Sequence, residues 1–158
     1  MRFELTSQLA LPPDEVVACY TDPDFYARLD GLPNVGEPRV LDRTERGDTV
    51  TMRVHYRFTR VLSAGVAKVV DPAKISWVEE TEWDRTTCSA RSILLPDNYA
   101  DRFSASAQRL HTAADGGTLR RISGEVRVRF PVVGGKVERA IVEGLEEYLR
   151  AEAERVTA

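Results

Sequence analysis

The feature that most constrains this chain is a change of hydrophobic period along it. From Val35 to Phe130 the sequence reads in strands, and after Pro131 it reads as one amphipathic helix. In Thr49–Phe58 the residues Val50, Met52, Val54, Tyr56 and Phe58 alternate with Thr49, Thr51, Arg53, His55 and Arg57. That two-residue period belongs to a strand with one dry face. Val137, Ile141, Leu145 and Tyr148 then fall at three- and four-residue spacings, the stripe of a half-buried helix. Such a helix, about twenty residues and about 30 Å long, spans a small sheet from end to end. A sheet with one apolar face must bury it, and no other segment is long enough to cover it. The expected architecture is therefore α+β, with a curved antiparallel sheet wrapped on a long C-terminal helix. Where the curvature holds sheet and helix apart, a cavity is expected.

The remaining elements follow from local signals. Arg2 to Leu11 alternates like a strand and stops at Pro12-Pro13, and Asp14 to Tyr20 then reads as a short helix. Asp22 followed by Pro23 predicts an N-cap and the first position of a second short helix running through Phe25, Tyr26 and Leu29. Strands are expected at Val35–Glu45, Thr49–Phe58, Ile75–Asp84, Thr86–Leu95, Phe103–Ala113 and Thr118–Phe130, with turns at Arg46-Gly47-Asp48 and Asp115-Gly116-Gly117. With the first strand this makes a sheet of about seven strands, with two short helices after strand one. Residues 59–74 break the rhythm yet stay apolar, which predicts a short helix or flap over one end of the sheet.

At 158 residues the chain is expected to form one domain over 1–158. Its net charge of -3 argues against a generally basic nucleic-acid binder. No apolar run approaches the roughly 18 residues of a membrane span, so stable membrane insertion is not expected. The start, Met1-Arg2-Phe3-Glu4-Leu5, lacks the pattern of a signal peptide, and the expected location is cytoplasmic. Cys19 and Cys88 are the only thiols and are expected to be buried and inert.

Particular stretches resemble the START-like, helix-grip (SRPBCC) superfamily, and within it an uncharacterised branch typical of actinobacteria. These are the first strand leading into Pro12-Pro13-Asp14-Glu15-Val16-Val17, the segment Thr21-Asp22-Pro23-Asp24-Phe25-Tyr26, and Trp77 to Trp83. Gly124-Glu125-Val126 leading to Phe130-Pro131-Val132-Val133-Gly134-Gly135-Lys136-Val137-Glu138 adds to the likeness. The superfamily includes lipid-transfer domains, birch-pollen-allergen-like proteins and polyketide cyclases. The resemblance implies an internal apolar pocket for a lipid, isoprenoid, sterol-like or polyketide ligand.

Ligand walls are expected from Met52, Val54 and Phe58 of one strand, Trp77 and Trp83 of the next, Val126 and Val128 of the last strand, and Ile141 and Leu145 of the helix. Tyr56, Glu79 and Tyr148 are the expected polar fixing points. Glu79 shares a face with the two tryptophans, so it needs either a cationic partner or a raised pKa. On the Phe103 strand Ala105, Ala107, Arg109 and His111 share one face, but neither face is clearly dry, and a bulge or a solvated hairpin end accounts for them more simply. Arg120, Arg121, Arg127 and Arg129 read as a solvated face, and Gly134-Gly135 as a close turn into the helix rather than a phosphate loop.

The leading reading is a binding module for an apolar small molecule, with the 59–74 flap and the second short helix gating access. An alternative is a polyketide cyclase or dehydratase-like enzyme, with Glu79 or His111 moving a proton and Arg109 or Tyr56 stabilising an enolate. A third is protein interaction through the arginine-rich outer face. No motif for a metal or cofactor is present, so none is expected, and catalytic residues and protein partners stay open.

Overall fold

The structure, a computed structural model, describes residues 1–157. Strand β1 (Arg2–Leu9) leads into helices α1 (Pro13–Tyr20) and α2 (Pro23–Tyr26). Strands β2 (Val35–Arg46) and β3 (Thr49–Phe58) form a hairpin, followed by helix α3 (Ala64–Ala67) and a 3-10 turn at Pro72–Lys74. Then come β4 (Ser76–Asp84), β5 (Ser89–Pro96), β6 (Phe103–Ala114), β7 (Gly117–Val128) and helix α4 (Gly134–Ala153). The strands pair antiparallel in one sheet, in the order β1-β7-β6-β5-β4-β3-β2.

That order puts β1 and β2 at opposite edges, yet α4 touches both of them as well as β7. A flat sheet could not do this, so the sheet wraps round the helix as expected, with register shifts in β2 helping its edge to bend. Helices α1 and α2 carry the chain from one edge to the other. α1 packs on β6 and β7, α2 packs on β2, and together they close one end of the hollow. Asp22 caps α2, its Oδ1 accepting from the Asp24 amide at 2.9 Å, but the helix ends at Tyr26, short of the expected Leu29.

Alternation is complete in β3, where every second residue from Val50 to Phe58 is buried. In α4 the buried positions include Val137, Ile141, Tyr148 and also Glu152, which continues the stripe one turn further. Gly134 starts this helix hard against β7, since a Cβ there would lie 2.7 Å from the Val128 carbonyl oxygen. Gly134 thus serves a close turn, while Gly135 has open space beside it.

One expectation is overturned in the core. Arg120 does not join Arg121, Arg127 and Arg129 on the solvent face but is completely buried. It sits on the inward side of β7 with Thr118 and Ile122, because strand geometry sends alternate residues to the same face. Its Nη1 donates to Glu152 Oε1 at 2.9 Å and to Tyr20 Oη at 2.5 Å, while Nη2 donates to the Leu149 carbonyl at 2.6 Å. The Tyr20 hydroxyl in turn donates to Glu152 Oε1 at 2.6 Å. The network ties β7, α1 and the C-terminal turns of α4 together.

Removing one member of a buried ion pair leaves the other charged and alone, at a typical cost of about 3–5 kcal/mol. Arg120→Met is expected to lower the free energy of urea unfolding by about that amount. Adding Glu152→Gln, which keeps an acceptor for Tyr20, is expected to restore at least half of it, and a cycle in which the two losses simply add would refute the coupling.

Candidate functional site

Between the sheet and α4 lie two hollows that meet. The outer one encloses 520 Å³ of unfilled space, counting its mouth, and its rim is made by Lys74, Ser76, Pro96, Asn98 and Tyr99. The inner one encloses 540 Å³ on the same reckoning and reaches Tyr56, Glu79, Arg109, Tyr148 and Glu152. Trp77, Leu94, Ala105, Val126 and Leu145 line both, so they form one cleft running from a largely apolar outer hollow to a polar inner end. It is narrow, and only a small part of either hollow would admit a sphere the size of water.

The mouth lies where the 59–74 segment meets the loop between β5 and β6. Tyr99 Oη accepts from the Asp71 amide at 3.3 Å, and Asn98 Nδ2 donates to the Lys74 carbonyl at 3.2 Å. Tyr99 also packs on Phe103 and Phe130, with ring centroids 5.8 and 5.5 Å away, and holds a positive φ of 57°. The expected flap is thus a short helix and turn that fasten to this loop by two hydrogen bonds. The second short helix does not share in the gate, because Phe25 and Tyr26 are buried at the closed end and line neither hollow.

At the polar end Arg109 Nη2 donates to Glu79 Oε1 and Nη1 to Ser92 Oγ, both at 2.7 Å. Thr81 Oγ1 reaches the same Glu79 oxygen at 3.2 Å. Burial pushes the Glu79 carboxyl upward, but the Arg109 charge and these hydrogen bonds outweigh it and hold the group below its ordinary range. Glu79 is therefore an ionised, paired carboxylate. Burial raises the Tyr56 and Tyr148 phenols well above their ordinary value, so both stay protonated. Their rings meet edge-on at 6.2 Å, close enough to influence each other's titration without a well-formed hydrogen bond. The Tyr148 hydroxyl has no hydrogen-bond partner, and neither do the indole N–H groups of Trp77 and Trp83.

Of the residues expected to bind ligand, Tyr56, Phe58, Trp77, Glu79, Val126, Ile141, Leu145 and Tyr148 line the cleft. Met52, Val54, Trp83 and Val128 are buried but border neither hollow. Trp83 belongs to the closed end, where its ring stacks on Tyr20 at 5.2 Å, and Met52 and Val50 lie towards that end of the sheet. The reading of β6 as bulged or solvated is also corrected. Its register with β5 and β7 is unbroken, and Ala105, Ala107, Arg109 and His111 face inward.

His111 nevertheless borders neither hollow. Its Nδ1 lies 3.0 Å from the Cys88 carbonyl, which can only accept, so Nδ1 carries the proton and Nε2 is left without a partner. Burial, reinforced by Arg109 and Arg120, lowers its pKa to about 4 against the pull of the Cys88 carbonyl. The expected proton carrier is thus a neutral core imidazole set against Trp83. Cys19 and Cys88 are free and half-buried rather than fully buried, and burial raises both thiols, Cys19 to about 11. Among the described residues no group of three or more His, Cys, Asp or Glu side chains is placed to hold a metal ion. No helix among them is long and apolar enough to cross a membrane.

The sequence reading missed Glu152, Leu94 and the mouth residues Tyr99 and Phe103. Glu152 had a signal, as it lies four residues beyond Tyr148 on the apolar stripe of α4. The loop carrying Tyr99 had none, because its place at the mouth depends on the curvature of the whole sheet.

A curved seven-stranded sheet gripping a C-terminal helix is the helix-grip fold. The chain belongs to the family described as "Protein of unknown function (DUF2505)", whose pattern matches residues 4–158. Among solved structures it resembles TTHA0849 from Thermus thermophilus, at 19% identity and a TM-score of 0.72, over 99% of this chain and 97% of the other. The Zhui aromatase/cyclase from Streptomyces sp. R1128 matches at 17% identity and a TM-score of 0.66, over 99% and 90%. A START superfamily protein from Mycobacterium smegmatis matches at 17% and 0.58, over 99% of both chains. At such identities the likeness is one of fold. No curated protein matches the chain.

His111 yields a pH test. Its folded pKa of about 4 lies below its ordinary value of 6.5, so below pH 6.5 the unfolded chain takes up a proton that the folded chain refuses. Stability is fully present above pH 6.5 and falls as pH drops towards 4, by about 1.4 kcal/mol per pH unit at the steepest. Urea unfolding of wild type between pH 6.5 and 5 is expected to show this slope, and His111→Phe to flatten it. Parallel profiles would contradict the assignment.

Proposed function

We propose that this protein binds an apolar small molecule in the cleft between sheet and α4, admitting it between the 59–74 segment and the Tyr99 loop. The observation that carries this reading is the cleft itself. Five residues line both hollows and all are apolar, while Glu79, Arg109 and Glu152 gather at the inner end and Lys74 sits on the rim. Ligand sites typically combine dry walls with a few convergent polar groups in this way. The cleft is narrow, so a guest has to displace side chains to enter. Leu145 and Leu94, only partly buried and packed against the core, are the side chains that would have to move aside for a guest. The mouth is held by two hydrogen bonds and an aromatic cluster rather than by a backbone ladder, so opening it leaves the strand pairing intact.

The fold shared with an aromatase/cyclase and with a START superfamily protein supports a hydrophobic ligand. It also raises a second reading, chemistry on a carbonyl compound, which one observation favours: Tyr56, Glu79 and Arg109 line the same inner hollow. In that reading Tyr56, whose phenol stays protonated, would donate to a ligand oxygen on which negative charge develops, with Arg109 contributing only beyond its contacts to Glu79 and Ser92. Glu79, ionised and committed to Arg109, is poorly suited to act as a general acid. On an identified substrate, full turnover by Glu79→Gln would dismiss a proton role for this residue.

The binding reading is tested by filling the cleft. Ala105 lines both hollows, and Ala105→Phe puts a ring where the guest would lie. The wild type is expected to bind Nile red and to retain a small hydrophobic molecule in native mass spectrometry. Ala105→Phe is expected to lower Nile red affinity at least about tenfold, the loss of about 1.4 kcal/mol of apolar contact. Unchanged affinity in a folded Ala105→Phe protein would remove the cleft as the binding site.

A further inference from the structure

We infer that the inner hollow selects an apolar molecule bearing an uncharged acceptor oxygen, a ketone in the simplest case, over a carboxylate of equal length, and that Tyr148 is the residue that reads it. This inference rests on the ligand-binding reading above and names the chemistry of its guest.

The first observation is the set of polar atoms left without partners. Tyr148 is 4% exposed and Trp77 is 7% exposed, both line the inner hollow, and neither the Tyr148 hydroxyl nor the Trp77 indole N–H has a hydrogen-bond partner. Leaving a buried donor unpaired is costly, so such a group in a cleft points to a partner that arrives with the ligand. An indole N–H can only donate, and a phenol kept protonated by burial has a proton to give. What they call for is an acceptor.

The second observation is that charge at the inner end is already balanced. Arg109 is engaged by Glu79 and Ser92, and Glu152 is engaged by Arg120 and Tyr20. The lining itself carries two carboxylates, Glu79 and Glu152, against one guanidinium, Arg109. An incoming carboxylate would lose its hydration and meet no cation without a counter-charge of its own, the expensive case for burying an ion. The cation at the other end, Lys74, sits on the rim. An anionic head would therefore stay at the mouth, leaving the inner donors unpaired. A neutral carbonyl oxygen avoids the ionic desolvation cost and accepts from the Tyr148 hydroxyl.

The test is displacement of bound Nile red at pH 7 by 2-undecanone and by undecanoate. Wild type is expected to bind the ketone at least tenfold more tightly than the acid. Tyr148→Phe is expected to weaken the ketone about fivefold to tenfold, as for one lost hydrogen bond, and to leave the acid within about twofold. Because this substitution deletes an unpaired hydroxyl, the thermal midpoint of the ligand-free protein is expected to stay level or rise, which shows that the variant folds. Equal or tighter binding of undecanoate by wild type would overturn the inference, as would ketone affinity unchanged in Tyr148→Phe. In either case retained Nile red binding leaves the apolar-ligand reading standing. Failure of wild type to bind Nile red at all would overturn that reading and this inference with it.

Discussion

The fold depends on a buried charge pair at the point where three elements meet. Arg120 comes from the last strand, Glu152 from the last turns of the long helix, and Tyr20 from the end of the first helix. Apolar contacts could hold the helix against the sheet in several neighbouring registers, because they are non-directional. A guanidinium with a carboxylate, a phenol and a main-chain carbonyl as partners has far fewer acceptable positions. Fixing the C-terminal end of α4 in this way sets the distance between helix and sheet further along. The Arg120 pair lies at the inner end of the cleft, and the mouth lies at the other end, where Gly134 allows the start of α4 to approach β7. The hollow between these two attachments is a consequence of where they sit.

The two ends of the molecule are built differently. At the closed end Tyr20, Phe25 and Trp83 pack ring on ring, with Tyr20 and Phe25 edge-on at 5.2 Å, and His111 is held neutral among them. At the mouth the aromatic residues Tyr99, Phe103 and Phe130 are only partly buried, and the hydrogen bonds across the seam are few. Local opening free energy follows buried contacts and backbone pairing, so motion that admits a guest belongs to the mouth. The same contrast explains why Met52 and Trp83 fill core space while Phe58 and Trp77, on the same two strands, border the cleft.

Much of this was legible in the sequence wherever side-chain size agreed with side-chain direction. In β3 the large apolar residues all point inward, and in β4 both tryptophans do, so period two identified the dry face and placed Glu79 beside the tryptophans. In β6 the inward residues are Ala105 and Ala107 followed by Arg109 and His111, and a hydrophobicity count finds no dry face there. The reason is functional as well as statistical. Small side chains leave room in front of the sheet, and the polar residues beyond them form its inner end. Arg120 misled for a related cause, because an arginine among arginines reads as surface until a partner for it is known. Glu152 is that partner, on a helix face that otherwise looked like an apolar stripe with a polar end. Neither residue makes sense alone, and their pairing depends on topology rather than on local pattern.

Unpaired polar atoms occur at the closed end, at Trp83, His111 and Arg120, and they occur in the cleft as well. Thr81 and Ser92 bond each other at 2.8 Å, and Arg109 and Glu79 are paired with them, so the charged floor is largely satisfied. Just in front of that floor, Tyr148 and Trp77 keep donors that nothing in the protein accepts. A phenylalanine at 148 would fill the same space without a polar atom to leave unpaired. Sites that depart from local consistency at a cost in stability are where function is to be sought. Here the departure lies beside a charge-balanced pair, within an apolar cleft, on a helix whose position the Arg120–Glu152 contact has already fixed. The unpaired atoms of Trp83, His111 and Arg120 border neither hollow, whereas those of Tyr148 and Trp77 belong to residues that line the inner one, where a visiting oxygen atom would complete the set.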